Sequence, residues 1–557
     1  MLYRPVGGII LYLRLEEFAR SLPPEAVQAL NSGTPIFGFQ PLPDGRWLPV
    51  EPPPGLPKNI DSVVKQTLAL WITPQSMTIK RNPYREADEA DFSVCFHEVP
   101  IDPRIIRSLG FACYLGTIDD TTWAEAIRQG VSPSTVVSKG AKTTTKTMLG
   151  AQDLRFIGFA DEVSVDMNDS GETLHVRGRD ITGILLDLPV PTKVHKEIKW
   201  DGPVEKIIWD ILQSSGACAG VPLHLVGFEP GTKVMKHNMQ HKAGKRKINA
   251  LRPKKINEEN YWDLLQTIAL ENGLIFYFDV WQSPDEGKFT GRFVLATPQD
   301  LYSDEPRTYY DYKTGATGTE PDFRSRQRKR PGSEDILNAP VLIYGHNLAS
   351  LNVTRKFGYI QRPSVEVRYK APNGKVWSAK YPEKAVPTRV SVDGLWAADQ
   401  VRIYVVQAGV EKPEDLKIIA QSIFEQLARQ ELEISCETKD LTSFGGNNTD
   451  PDLLEVKAGT PIEIVIAPYD KSSTIGMLPI IAGFDETKMR DYLISRGLKE
   501  STANILAYAL RSPEWQALME RRFYVKNATI KFDKENGVSL SFEASNYILS
   551  RVVRDTK

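Results

Sequence analysis

Arg177, Arg179 and Asp180 crowd into the end of the stretch ETLHVRGRD (172–180), with Asp161, Glu162, His175 and Asp187 close to them in the chain. A general acid needs a second carboxylate or a base within reach, and this set contains both. The same residues also suit a scaffold, in which arginines and an aspartate pair with backbone and neighbouring charges where a strand leaves its sheet. The scaffold is the favoured reading, so Arg177, Arg179 and Asp180 are taken as a structural polar cluster and no catalytic residue is assigned.

Other motifs are weaker. His237 and His241 in HNMQH have the spacing of a zinc-protease helix, but Asn238 stands where the catalytic glutamate belongs. Lys236, Lys242, Lys245, Arg246 and Lys247 would repel a cation there, so no metal site is expected. Gly244-Lys245 lacks the earlier glycine and the following hydroxyl of a phosphate loop, and Gly183 is followed by Ile184. No GxSxG occurs. Two basic runs, HKAGKRKINALRPKK (241–255) and RSRQRKR (324–330), read first as solvated loops. Arg324, Arg326, Arg328, Lys329 and Arg330 are the candidate contacts to an acidic partner or to passing DNA. Neither run interleaves aromatics as a single-strand platform would. No cofactor is expected.

A chain of 557 residues, 41% hydrophobic and 25% charged, should divide into roughly three or four globular domains. A net charge of −1 gives no overall attraction to nucleic acid or acidic membranes. Cys95, Cys113, Cys218 and Cys436 are widely spaced and read as reduced, mostly buried thiols. No apolar run approaches the roughly 18 residues of a membrane span. The beginning, MLYRPVGGIILYLRLEEF, lacks a signal-peptide cleavage pattern, which points to synthesis in a cytoplasm.

Along the chain, residues 1–60 carry many prolines, including 41, 43, 49, 52, 53, 54 and 57, and read as an extended N-terminal arm. Residues 61–195 alternate as antiparallel strands, interrupted at 117–150 by a short helix and a Ser/Thr/Lys-rich loop expected to be mobile. Residues 196–335 read as a small α+β domain. Its helices follow Asp201 and Asn257 as caps, and LIFYFDVW and GRFVLATP form a strand pair. Residues 336–557 return to strands, with a helical insertion at 487–523.

The two β regions repeat one order of elements. FSVCF, LGFACYLGTID, RFIGFADEV and the hairpin VSVDM/TLHVRG match LEISC, AGTPIEIVIAP, PIIAGFDET and the hairpin ATIKF/VSLSFEAS. With FIGFADEVSVDMNDSGETLHVRGRDITGILLD, NYWDLLQTIALENGLIFYFD and NLASLNVTRKFGYIQRPSVEVRY, the chain resembles the late control protein D and baseplate hub family of contractile phage tails and related injection systems, over roughly residues 65–557.

That resemblance implies a mainly β fold with α+β parts, in which two tube-protein-like antiparallel β-barrel domains flank a small α+β domain. It implies a non-enzymatic structural hub: a homotrimer forming a pseudo-hexameric ring, which joins the tail tube protein to the central spike protein and lets DNA or an effector pass. Further partners would be the tape measure and other baseplate proteins, with no membrane, in a virion tail baseplate made in the host cytoplasm. The competing readings are a tail-associated cell-wall hydrolase and a β-rich carbohydrate- or nucleic-acid-binding protein.

Overall fold

The computed structural model describes residues 3–14, 38–41, 47–51, 67–83, 86–96, 103–129, 135–138, 144–147, 153–169, 171–191, 204–215, 233–236, 260–271, 274–282, 289–296, 308–311, 317–319, 328–329, 336–337, 339–355, 364–371, 373–381, 401–406, 432–442, 452–465, 486–495, 497–509 and 522–545, with isolated positions between them. The chain is mainly β, and 17 of the strands join one largely antiparallel sheet.

The first β region contains β1 (Tyr3–Arg14), β2 (Gly38–Pro41), β3 (Trp47–Glu51), β4 (Thr67–Ile72), β5 (Ser76–Arg81), β6 (Glu89–Cys95) and β7 (Gly110–Asp119). Helix α1 (Asp120–Gln129), β8 (Thr135–Ser138), β9 (Thr144–Thr147), β10 (Leu154–Asn168), β11 (Gly171–Arg179) and α2 (Ile181–Asp187) follow. Two expectations are corrected here. Residues 1–60 are not an arm throughout, because β1 lies between β4 and β7 and pairs with both. Ile9, Leu11 and Leu13 enter one core and Ile10 and Tyr12 a second. A strand buried on both faces reads as a continuous apolar run and shows no alternation. Within 117–150, the stretch read as a loop holds the paired strands β8 and β9, built from β-branched Thr and Val that favour extended backbone.

The middle region has α3 (Val204–Ser215), β12 (Lys233–Lys236), α4 (Tyr261–Glu271), β13 (Ile275–Gln282), β14 (Phe289–Ala296), β15 (Thr308–Asp311) and β16 (Thr317–Thr319), with β13 and β14 antiparallel as expected. The N-terminus of α4 is capped by Asn260, whose side-chain oxygen accepts from the Asp263 N–H at 2.7 Å; Asn257 and Asp201 lie outside the described residues. Ile207, Ile211, Trp262, Leu265 and Phe276 share one core with Ile10, Tyr12, Trp71 and Tyr114. This unit therefore packs on the first β region. The short pair β17 (Arg328–Lys329) and β18 (Ile336–Leu337) follows.

The second β region contains β19 (Val341–Ile343), β20 (Ser350–Arg355) and a separate sheet of β21 (Ser364–Lys370), β22 (Val376–Tyr381) and β23 (Val401–Val406), with Leu416, Ile419 and Ala420 packed on that sheet. Then come β24 (Leu432–Thr438), β25 (Pro461–Val465), α5 (Glu486–Ser495), α6 (Glu500–Ala509), β26 (Arg522–Asp533) and β27 (Gly537–Ser545). No helix among the described residues is long and apolar enough to cross a membrane.

The strand-by-strand match of the repeat needs one correction. RFIGFADEV and VSVDM are not separate elements: they run on as the single strand β10, which bulges at Asp161 instead of turning. The counterpart of β10 is β26, which bulges at Lys526. PIIAGFDET is not its counterpart: its last residues, Glu486 and Thr487, open α5, and 479–485 lie outside the described residues.

Candidate functional site: a polar clamp and a strand junction

Asp180 follows β11 and caps α2. One of its oxygens accepts from the Thr182 N–H at 2.8 Å and the other from the Asp88 N–H at 3.3 Å. Its own N–H donates to the Asp88 carbonyl at 3.0 Å. Burial pushes its carboxyl up to about 7, while the Thr182 and Asp88 N–H groups pull the other way. Arg179 makes a bidentate pair with Asp161, at 2.7 and 2.8 Å, and reaches Asp187 at 2.8 Å. Those carboxylates hold its guanidinium more firmly charged than usual. Arg177 faces Glu89 at 3.5 Å, and His175 faces Asp166 at 3.3 Å.

The structure thus gathers Asp161, Asp187 and Arg179 into a clamp between the bulge of β10 and the end of α2. Asp180 sits beneath it with its oxygens turned to backbone donors. Asp161 and Asp187 both serve the Arg179 guanidinium, and charge-assisted bonds of this kind fix geometry.

The other sequence candidates are not brought to this place. Arg328 and Lys329 lie on β17. Arg324, Arg326 and Arg330 lie outside the described residues, as do His237 and His241. Among the described residues no group of His, Cys, Asp and Glu is arranged to hold a metal. Burial pushes the thiol of Cys436 up to about 12 and that of Cys113 higher still, so both are inert packing groups.

A second feature was not singled out from sequence: the place where the two β regions join. The repeat comprises five strands. β5-β6-β11-β10-β7 and β20-β24-β27-β26-β25 have the same neighbours in the same order. The hairpins agree residue by residue. Val163–Val176 matches Ala528–Phe542, Val165–Leu174 matches Ile530–Leu540, and Met167–Glu172 matches Phe532–Val538. Each ends on a glycine of positive φ, Gly171 at +134° and Gly537 at +83°, in the region where glycine avoids a steric penalty. The Ala160 N–H donates to the Leu109 carbonyl as the Val525 N–H donates to that of Thr460.

β5 of the first set pairs antiparallel with the tip half of β26 in the second: Arg81 opposite Ala528, Ile79 opposite Ile530, Met77 opposite Phe532 and Ser76 opposite Asp533. Arg81 donates to the carbonyls of Leu454 and Val456, at 3.1 and 2.8 Å. The Lys534 N–H donates to the Gln75 carbonyl at 2.9 Å. Ile79, Met77, Ile530 and Phe532 enter one core that spans both regions. A signal for this was present, since SMTIKR (76–81) and SLNVTR (350–355) share serine, alternating apolar positions and a final arginine.

No protein-family model matches the sequence. No curated protein matches it either. Several solved structures are similar to it at low identity. A tail protein from Neisseria meningitidis MC58 is 10% identical, with 87% of this chain and 96% of that one covered and a TM-score of 0.42. A 43 kDa tail protein of prophage MuSo2 from Shewanella oneidensis is 12% identical, over 85% and 94% of the two chains, at 0.39. An E. coli component of the type VI secretion system is 9% identical, over 86% and 74%, at 0.37.

Proposed function

We propose that the chain is a structural tail or baseplate hub, in which three copies form a pseudo-six-fold ring between a tail tube and a central spike, around a channel for DNA or an effector. The observation that carries this reading is the five-strand set built twice in one chain and joined to itself edge to edge through β5 and β26. A chain that carries two copies of a ring-forming unit turns three-fold assembly into six similar positions. Closing such a ring also removes the free strand edges that otherwise invite aggregation. The two sets are taken as the tube-like barrels, at 61–195 and 336–557, with the α+β unit at 196–335 between them.

In this reading the Arg177, Arg179 and Asp180 cluster is scaffold. It ties the bulge of β10 to α2, and its buried carboxyl caps a helix. Arg324, Arg326, Arg328, Lys329 and Arg330 are proposed as contacts to partner proteins or passing DNA. The role is mechanical and not enzymatic.

The test is the native mass of the purified chain by light scattering across a concentration series, followed by electron microscopy of the largest species. A species three times the 62.5 kDa chain, appearing as a ring with six similar lobes, is expected. A strict monomer that hydrolyses cell-wall polymer would overturn the reading in favour of a hydrolase.

A further inference from the structure

The internal junction uses one β5-type edge and one β26-type edge. The repeat supplies one more of each. β20 is the counterpart of β5, and the tip half of β10 is the counterpart of that of β26. Among the described residues, neither has a strand on its outer side. β20 pairs with β24 alone, and β10 pairs with β7 only over 154–159.

The two edges carry the marks of a missing neighbour. In the internal junction Phe532 is 5% exposed, Met77 1% and Ile79 0%. At the free edge of β10, Met167, the counterpart of Phe532, is 65% exposed. Leu351 and Val353, the counterparts of Met77 and Ile79, are only partly buried. Large apolar side chains in alternating positions on an unpaired edge are what native sheets normally pair, cover or charge.

We propose that β20 of one copy pairs antiparallel with residues 163–168 of β10 in a second copy, in the register of the β5–β26 junction. This deepens the hub reading and rests on it. The register follows by substituting counterparts: Val163 opposite Arg355 of the second copy, Ser164 opposite Thr354, Val165 opposite Val353, Asp166 opposite Asn352, Met167 opposite Leu351 and Asn168 opposite Ser350. Met167 then packs against Leu351 as Phe532 packs beside Met77. The contact is head-to-tail, so it propagates until rotation closes it into a ring. No charge clash arises at the matched positions, because no facing pair holds two charged residues: Arg355 lies opposite Val163 and Asp166 opposite Asn352.

The experiment uses the full chain with Ser164→Cys and Thr354→Cys together, oxidised and run without reductant. Directly opposed residues have Cβ atoms about 5 Å apart, close enough for a disulfide, whereas a four-residue shift separates them by roughly 13 Å. Intermolecular cross-linking at least tenfold above both the single-cysteine variants and the shifted pair Ser164→Cys with Ser350→Cys is expected. In parallel, Met167→Lys should weaken assembly at least tenfold while leaving the melting midpoint of the dilute chain unchanged, because Met167 is exposed there. Adding Leu351→Glu to Met167→Lys should restore assembly.

A disulfide formed within one chain, or a wild-type chain that stays single at every concentration and never cross-links, overturns the proposal. A three-chain species without the matched cross-link overturns the pairing and leaves the ring reading standing. A matched cross-link in dimers or open filaments keeps the pairing and overturns the three-chain ring.

Discussion

The hairpins β10–β11 and β26–β27 have the same register, the same bulge position and the same glycine at the turn, yet they differ in exposure along one edge. The tip of β26 has β5 beside it and buries Ile530 and Phe532. The tip of β10 has no strand there among the described residues, and Met167 protrudes. One backbone can thus be complete or incomplete according to its neighbour. The copies also solve the bulge with opposite charges. Asp161 reaches Arg179 in the first, and Lys526 reaches Glu433 in the second. The geometry is shared, while the residues that secure it are not.

The largest test of this contrast lies on the strands that flank the tips. Ile79→Ala removes a fully buried side chain from the internal junction and should cost about 3 kcal/mol. Val353→Ala, at the matching place on β20, should cost under about 1 kcal/mol in the dilute chain, where the side chain is only partly buried. Urea midpoints of the two variants give the comparison directly, and equal losses would break it.

A smaller effect separates the strands behind the tips. Gly178 matches Ala544 in register. A Cβ at Gly178 would run into the carbonyl oxygen of Phe159 and the ring of Phe111, so Gly178→Ala should cost about 2 kcal/mol by overpacking. Ala544→Gly should cost about 1 kcal/mol, from chain entropy and lost packing. Thermal melts would sharpen the point that the first copy draws its strands closer together here.

Asp180 gives a pH-dependent difference. Its carboxyl titrates at about 7 in the fold against about 3.9 in an unfolded chain. Between these values the folded state holds a proton that the unfolded state releases, so this group's contribution to stability is present at low pH and is lost as pH rises through about 7. Asp180→Asn should therefore melt above the wild type at pH 8, with the gap closing towards pH 4. A gap that widens on acidification would contradict the burial argument. The second copy has the uncharged Asn546 at the aligned sequence position.

The smallest effect belongs to the bulge. Asp161→Ala breaks a half-exposed ion pair and should cost about 0.5–1 kcal/mol, less in high salt. A loss of several kcal/mol in guanidine titrations would make the clamp a keystone and not a trim.

Much of this was legible in the sequence because antiparallel sheets covering one core alternate in a recognisable way. Val163, Val165, Leu174 and Val176 announce the first hairpin, and Ile530, Leu540 and Phe542 the second. What escaped has definite causes. β1 is buried on both faces, so its IILYL run carries no period-two signal. The bulge at Asp161 lets one strand continue where a charged pair, Asp161-Glu162, looks like a break. Arg179 and Asp180 were recognisable as a polar cluster with Asp161 and Asp187 near them in the chain, but Asp88 was not, because its pairing with Asp180 depends on β6 lying beside β11. The junction was harder still: a pairing between residues 76–81 and 528–533 leaves only a short pattern shared with 350–355.

The position of β1 bears on how the chain is made. The ribosome delivers this apolar strand before either of its partners, since β4 begins only at Thr67 and β7 only at Gly110. Until both emerge, IILYL has no sheet to enter. Its native pairings span a long stretch of chain, the kind of closure that slows folding and leaves sticky intermediates. The nascent protein must keep β1 out of wrong pairings for as long as translation takes to pass from β1 to β7, so β1 is a segment a holding chaperone would find exposed.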